Sequence, residues 1–292
     1  MPSPERNWLV HEIVFGGFLV VTLVRLVVAG SPAVHILAYA AYIAIAVVLA
    51  KLTRLRPSTR NWRLRLGYYF LLMNIVFVQM KAVVPVIRPG HFDALLQDWD
   101  AWLVGGDLSL IAERFAQPVL TEILSLCYAL FFFYLLAAEI KALRGPLDRA
   151  IAFHAGLFSL YGIGFIGYTL LPALGPWLAL AAQYHRPLSG WWMTELMLAI
   201  YPYGTNGADV FPSLHCAVPA FILGFDARRD QRAFRRWLLP VVGLWLSTIY
   251  LRFHYFVDVV VGLGLAALAL IVVVLVEGAP NALRPAAQRP AR

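Results

Sequence analysis

Charge is scarce in this chain. Asp, Glu, Lys and Arg together make 14% of its 292 residues, against about 25% in ordinary soluble domains. That shortage, with 61% hydrophobic residues, excludes a soluble globular domain. Cysteine is nearly absent: Cys127 lies in an apolar run and Cys216 beside a histidine, so neither a disulfide framework nor a metal-ligand spacing is available. Acid is the scarcer sign, 16 Asp and Glu against 24 Lys and Arg, for a net charge of +8. In a soluble protein that excess would point to nucleic acid. Here the bases sit in short loops between apolar runs, where they set membrane orientation instead, and no nucleic-acid partner is expected. What the chain has in plenty is apolar length and aromatic surface. Apolar residues fall in blocks of about 20, enough helix to span a hydrocarbon core, and nine tryptophans fit interfacial belts. The mean hydropathy is +0.72. The expectation is an all-α fold, a polytopic transmembrane helical bundle.

The apolar runs predict eight spans, near 9–29, 33–50, 66–87, 118–140, 150–171, 212–227, 238–253 and 256–276. The sixth is short and is expected to extend into the polar residues after it. The first ends in Val28-Ala29-Gly30-Ser31-Pro32-Ala33, loosely like a signal-peptide cleavage region, but its flank is weakly basic and it is read as a retained span. Lys51, Arg54, Arg56, Arg60, Arg63 and Arg65 lie between spans 2 and 3. Lys141, Arg144 and Arg149 lie between spans 4 and 5, and Arg228, Arg229, Arg232, Arg235 and Arg236 between spans 6 and 7. All fall on one side, read as cytoplasmic together with both termini. The opposite face has the longer loops. Residues 88–117 are acidic enough to suggest an amphipathic interfacial helix, and residues 172–211, rich in Trp, Tyr, Pro and Gly, are placed to cover a site. Residues 280–292 read as a disordered tail.

Three segments reach that non-cytoplasmic face. Lys81 and Arg88 close span 3, seven residues apart and so near one helical face. A lysine so deep in a span needs an anionic partner. Pro212 and Ser213 open span 6, and the free N–H groups there, with the Ser213 hydroxyl, make an anion site. His215 projects beside it. Arg252, His254 and Asp258 lie between spans 7 and 8, with His254 and Asp258 on one face if that segment is helical. Two cations and a helix N-terminus suit a phosphate. Two histidines and an aspartate supply a nucleophile, its orienting partner and a proton donor, the equipment of phosphoryl transfer without a metal.

Lys81-x6-Arg88-Pro89, Pro212-Ser213-x-His215 and His254-x3-Asp258, in that order, resemble the three signatures of the phosphatidic acid phosphatase type 2 superfamily. Phe211-Pro-Ser-Leu-His215, His254-Tyr-Phe-Val-Asp258 and Leu171-Pro-Ala-Leu-Gly-Pro-Trp177 are most similar to its inositol phosphorylceramide synthase-like branch. The resemblance covers residues 66–276, a six-span catalytic core following two N-terminal spans and a basic loop (1–65) and preceding the tail (277–292). It implies that His254 attacks phosphorus, Asp258 orients it, and His215 protonates the leaving oxygen and then activates the acceptor. Lys81, Arg88 and Ser213 hold the phosphate oxygens. The chain departs from the pattern at Ser247-Thr248, where the phosphatases carry Ser-Arg, and Arg252 is the candidate to supply that charge. Leu214 stands where those enzymes commonly have glycine. The function implied is a phosphoesterase or phosphotransferase for membrane lipids, its substrate a lipid phosphate or phospholipid, without cofactor or metal. The acceptor is a lipid alcohol in the synthase-like reading and water in the phosphatase reading. A non-enzymatic lipid transporter fits less well, since transporters place polar residues near mid-membrane.

Some signals are set aside. Gly162-x-Gly164-x-x-Gly167 has dinucleotide-fingerprint spacing but lies inside an apolar span, so close helix packing is expected. His154 is expected to be a satisfied packing residue. His11, Glu12, Arg25, His35 and Glu122 are read as anchors near span ends.

Overall fold

The computed structural model describes residues 8–278: Glu277 and Gly278, assigned to the tail, close the last helix, and the rest of the expected tail lies outside the described residues. All regular structure there is helical, with no strand. Helices occupy each segment expected to span: α1 (Val10–Val28), α2 (Ala33–Leu55), α3 (Thr59–Ile87), α6 (Pro118–Arg144), α7 (Leu147–Leu170), α10 (Leu214–Ala227), α11 (Gln231–Tyr250) and α12 (Phe256–Gly278). Between them lie α4 (Asp93–Val104), α5 (Leu108–Ala112), α8 (Pro176–Ala179) and α9 (Trp192–Gly204). Thus the 88–117 segment contains a helix, α4, where its acids suggested one.

Six of these helices, α1, α2, α3, α6, α7 and α12, are long and apolar enough to cross a membrane. The other two differ from the expected spans. Helix α10 has 14 residues, a rise of about 21 Å, and ends at Ala227 instead of extending through Arg228–Asp230, because the Asp230 side chain takes the Ala233 N–H and caps α11. Helix α11 carries Arg232, Arg235 and Arg236 in its first half and is not among the helices apolar enough to cross a membrane.

Helix α7 is the central element, with 83% of its apolar stretch buried inside the protein. Its glycines explain how neighbours approach so closely. A Cβ on Gly162 would stand 3.0 Å from the Phe15 backbone of α1, one on Gly164 2.5 Å from Leu214, and one on Gly167 2.4 Å from Pro212. The glycine run is therefore a packing notch, and it seats the Phe211–Leu214 turn. Helix α1 is part of the same core: Phe15 and Phe18 meet Phe165 with ring centroids 5.9 Å and 5.6 Å apart.

Two of the anchors assigned to span ends, His11 and Glu12, turn out to be buried, while Arg25, His35 and Glu122 stay half-exposed near helix ends. Glu12 and Arg65 form a buried ion pair at 2.5 Å. His11 is fully buried against Tyr69. Arg25 holds the ends of α3 and α7 through Ile87 O and Thr169 O. His154 is satisfied as expected, with Nδ1 on Ala150 O and Nε2 on Glu139. Polar contacts gather at the two ends of the bundle. One end holds Glu12–Arg65, Lys141–Asp226 and Arg229–Glu277, and the other joins residues 92–100, 172–175, 210–213 and 253–258.

Candidate active site

Where α11 ends, the chain turns sharply. Arg252 has φ 69°, a left-handed conformation that disfavours any residue but glycine by about 1–2 kcal/mol. Its side chain offsets that cost. One guanidinium nitrogen donates to Arg186 O at 2.6 Å and lies 3.4 Å from Glu113, with the group stacked 3.7 Å over the Tyr184 ring. The Phe253 and His254 N–H groups then fold back onto Thr248 O, so the residue at the phosphatase Ser-Arg position serves the turn through its carbonyl.

That turn delivers His254, buried with its Nδ1 3.0 Å from Val210 O and 3.5 Å from Asp258 Oδ2. A carbonyl only accepts, so Nδ1 carries the proton and Nε2 keeps its lone pair. Nε2 lies 3.4 Å from His215 Nδ1, which is also 3.4 Å from the Tyr128 hydroxyl. His215 is held by ring contacts: Tyr128 stacks on it at 4.7 Å and Phe131 packs at 4.5 Å. Burial lowers the pKa of His254 from 6.5 to about 4, against the opposing pull of Asp209 and the Val210 carbonyl. The imidazole is therefore neutral at physiological pH, the form in which Nε2 can attack.

Ser213, fully buried, begins α10. Its hydroxyl accepts from Cys216 N at 3.3 Å, and its own N–H donates to Asp258 O at 3.0 Å. The cap is thus Ser213, with Pro212 one residue outside the helix instead of at its first position. A Cβ on Gly262 would stand 2.4 Å from Ser213 O, so only glycine lets α12 lie this close to the start of α10.

The structure brings His215, Ser213, His254 and Asp258 together. The cations stand differently. Lys81 is exposed and faces no carboxylate among the described residues, contrary to the partner its depth called for. Arg88 donates to Leu170 O at 3.2 Å and lies 4.5 Å over the Phe92 ring. Among the described residues no contact joins either to the histidine pair. Arg252 directs its charge to the 184–186 segment.

Several residues that motif reading passes over hold the site in shape. Asp100 accepts from Phe256 N and Val257 N, both at 2.8 Å, and so caps α12 from another helix. Asp93 accepts from Leu174 N at 3.0 Å, Gly175 N at 2.9 Å and the Tyr255 hydroxyl at 2.9 Å. Gly175, at φ 81°, is pressed so closely on Phe253 O that a Cβ would lie 2.7 Å away. Glu113 takes the His185 and Arg186 N–H groups, and Glu122 those of Trp191, Met193 and Thr194. A sequence signal existed for one pair: Asp93, Leu96 and Asp100 repeat at helical spacing and form the buried face of α4. The remaining struts come from single acids in loops, which carry no periodic signal.

Among the described residues no group of three or more His, Cys, Asp or Glu is arranged to hold a metal. The chemistry on hand is a lone-pair imidazole nitrogen facing a second imidazole, with a carboxylate behind the first.

Residues 94–272 match the model of a family described as the PAP2 superfamily. Inositol phosphorylceramide synthase of Candida albicans (strain SC5314 / ATCC MYA-2876) is 27% identical over 276 residues, covering 88% of this chain and 56% of that protein. The chain thus spans little more than half the length of this curated relative. No solved structure matches.

Proposed function

Because the chain belongs to the PAP2 superfamily, we propose that it is an integral membrane lipid phosphotransferase that passes a phospho-headgroup to an alcohol on a second lipid, as the name of its fungal relative describes. The observation that carries this reading is the 3.4 Å approach of His254 Nε2 to His215 Nδ1, with His254 Nδ1 tied to Val210 O. The two nitrogens converge on one point, so a phosphoryl group bound beside the pair meets both a nucleophile and a proton donor.

In the first step His254 Nε2 forms a bond to phosphorus, and the bond to the leaving lipid oxygen breaks as His215, which takes up a proton when the anionic phosphate binds beside it, gives that oxygen its proton. The product is a phosphohistidine whose ring is cationic. Asp258, 3.5 Å from Nδ1, stabilises that charge. In the second step the neutral His215 takes the proton of the acceptor hydroxyl. The acceptor oxygen bonds to phosphorus, the N–P bond breaks, and His254 is regenerated. Lys81, Arg88 and the α10 start at Ser213 supply positive potential for the non-bridging oxygens. Loop charge supports a site on the non-cytoplasmic face, with both termini cytoplasmic.

The test uses purified protein with a phosphoinositol lipid or a lipid phosphate as donor, with and without ceramide. A new phospho-headgroup lipid is expected when the acceptor is present. Release to water alone, unchanged by acceptor, would replace transfer with a phosphatase reaction. No turnover of any lipid phosphoester would remove the enzymatic reading.

A further inference from the structure

Tyr128, on α6, touches both segments that carry the histidines. Its ring stacks on His215 with centroids 4.7 Å apart and 27° between the planes, and meets Phe253, the residue before His254, at 4.8 Å. The side chain is buried, and a buried tyrosine hydroxyl needs a partner. Here the hydroxyl lies 3.4 Å from His215 Nδ1 and has no other hydrogen-bond partner among the described residues. Phe131, one turn further along α6, packs on the same imidazole at 4.5 Å without any hydroxyl. Holding the ring by packing therefore does not call for one.

His215 Nδ1 stands at the same distance, 3.4 Å, from the Tyr128 hydroxyl and from His254 Nε2. That is long for a hydrogen bond, as catalytic contacts are before substrate binds. The two neighbours are not equivalent. His254 Nε2 offers only a lone pair, because the proton of that ring is on Nδ1. It gives up the lone pair when it bonds to phosphorus, and from then on it cannot hold His215. A tyrosine hydroxyl both donates and accepts. It can accept from Nδ1 while His215 carries the proton, then turn and donate to Nδ1 once that proton has gone, losing none of its own. Those are the two states of a residue that serves first as acid and then as base.

We propose that Tyr128 is a positioning residue for His215: its hydroxyl keeps Nδ1 aimed at the reacting oxygen in both protonation states, above all in the phosphohistidine intermediate. The proposal rests on the phosphotransferase reading and adds to it the group that holds the acid–base residue through the second step.

The test uses the full chain in lipid nanodiscs, para-nitrophenyl inositol phosphate as donor and ceramide as acceptor. Nitrophenolate leaves without a proton, so forming the phosphohistidine from this donor does not need His215, whereas passing the group to ceramide does. The two steps are followed in turn, first nitrophenolate release without ceramide, then loss of the phosphoenzyme once ceramide is added. The variant is Tyr128→Phe, which keeps the ring. We expect its first-turnover release to keep the parent's amplitude, which also reports the folded fraction, and to stay within about twofold in rate, while transfer to ceramide slows about tenfold or more. Should Tyr128→Phe not fold, para-fluorophenylalanine at the same position fills the hydroxyl's place without its proton and carries the same expectation. Transfer at the parent's rate would overturn the proposal. So would equal losses in both steps, which would make Tyr128 a packing residue, or a loss confined to nitrophenolate release, which would assign it to His254. A parent that shows neither step would overturn the phosphotransferase reading together with the proposal, before any variant is compared.

Discussion

At His254, burial sets the charge of the ring and hydrogen bonding sets its tautomer. Burial keeps the imidazole neutral to about pH 4, and Val210 O fixes the proton on Nδ1, so the lone pair is always on Nε2. Formation of the phosphoenzyme should therefore hold up as pH falls from 7 to 5, and the part of its acid limb due to His254 should lie near pH 4. Rapid-quench rates across that range measure this, and a limb at the ordinary 6.5 would mean that His254 is solvated. The same shift has a stability consequence. The folded pKa lies below the unfolded one, so the unfolded chain binds the extra proton. The contribution is whole above about pH 6.5 and is lost as pH falls toward 4. Asp258 sits one step behind the chemistry. Asp258→Asn keeps the Tyr255 N–H acceptor but removes the charge facing the cationic intermediate, and should lower kcat by about 10²–10⁴ with little change in KM.

The elements owe their arrangement to close approaches that only glycine permits and to carboxylates that cap backbone ends. Gly262 and Gly264 lie on the same helix and make the contrast plain. A Cβ on Gly262 strikes Ser213 O, whereas one on Gly264 meets nothing within 4 Å. Gly262→Ala should destabilise the protein by about 1–3 kcal/mol and cut turnover by displacing Ser213 from Asp258. Gly264→Ala should leave both intact. Thermal unfolding and donor turnover of the two variants check this, and equal behaviour would contradict the packing argument. This is also the scale at which the sequence is least legible. His215, His254, Asp258 and Ser213 could be read because their spacing carries chemistry, and the run of apolar blocks located the helices. The Val210 carbonyl and the struts from Asp93 and Asp100 could not, because backbone acceptors have no sequence identity and their partners are 44 to 156 residues away. Arg252 was readable as a charge but not as a direction, since its left-handed backbone turns the side chain toward Glu113 and Tyr184.

The whole molecule is a bundle with two different polar ends. At the end away from the histidines the Glu12–Arg65 pair is almost wholly buried, so Arg65→Met, which strands the Glu12 charge, should destabilise by about 3–5 kcal/mol, and the Glu12→Gln/Arg65→Met double variant by less. Thermal unfolding in detergent separates the two. Loop charge further predicts which end faces the cytoplasm. Cys216 is buried and Cys127 half-buried, so added cysteines can be read against a low background. Trp102→Cys, at an exposed position of α4, should react with a membrane-impermeant maleimide in intact cells. Arg228→Cys, after α10, should react only once the membrane is opened, and the reverse pattern would invert the topology.

The most direct test of the mechanism is to quench the enzyme during turnover of a phosphoinositol donor radiolabelled at phosphorus and to map the label by mass spectrometry. A phosphohistidine mechanism predicts an acid-labile, base-stable adduct on His254, absent from His254→Ala, whose turnover falls on the order of 10³-fold or more. Undiminished turnover by His254→Ala, or label trapped on any other residue, would contradict it.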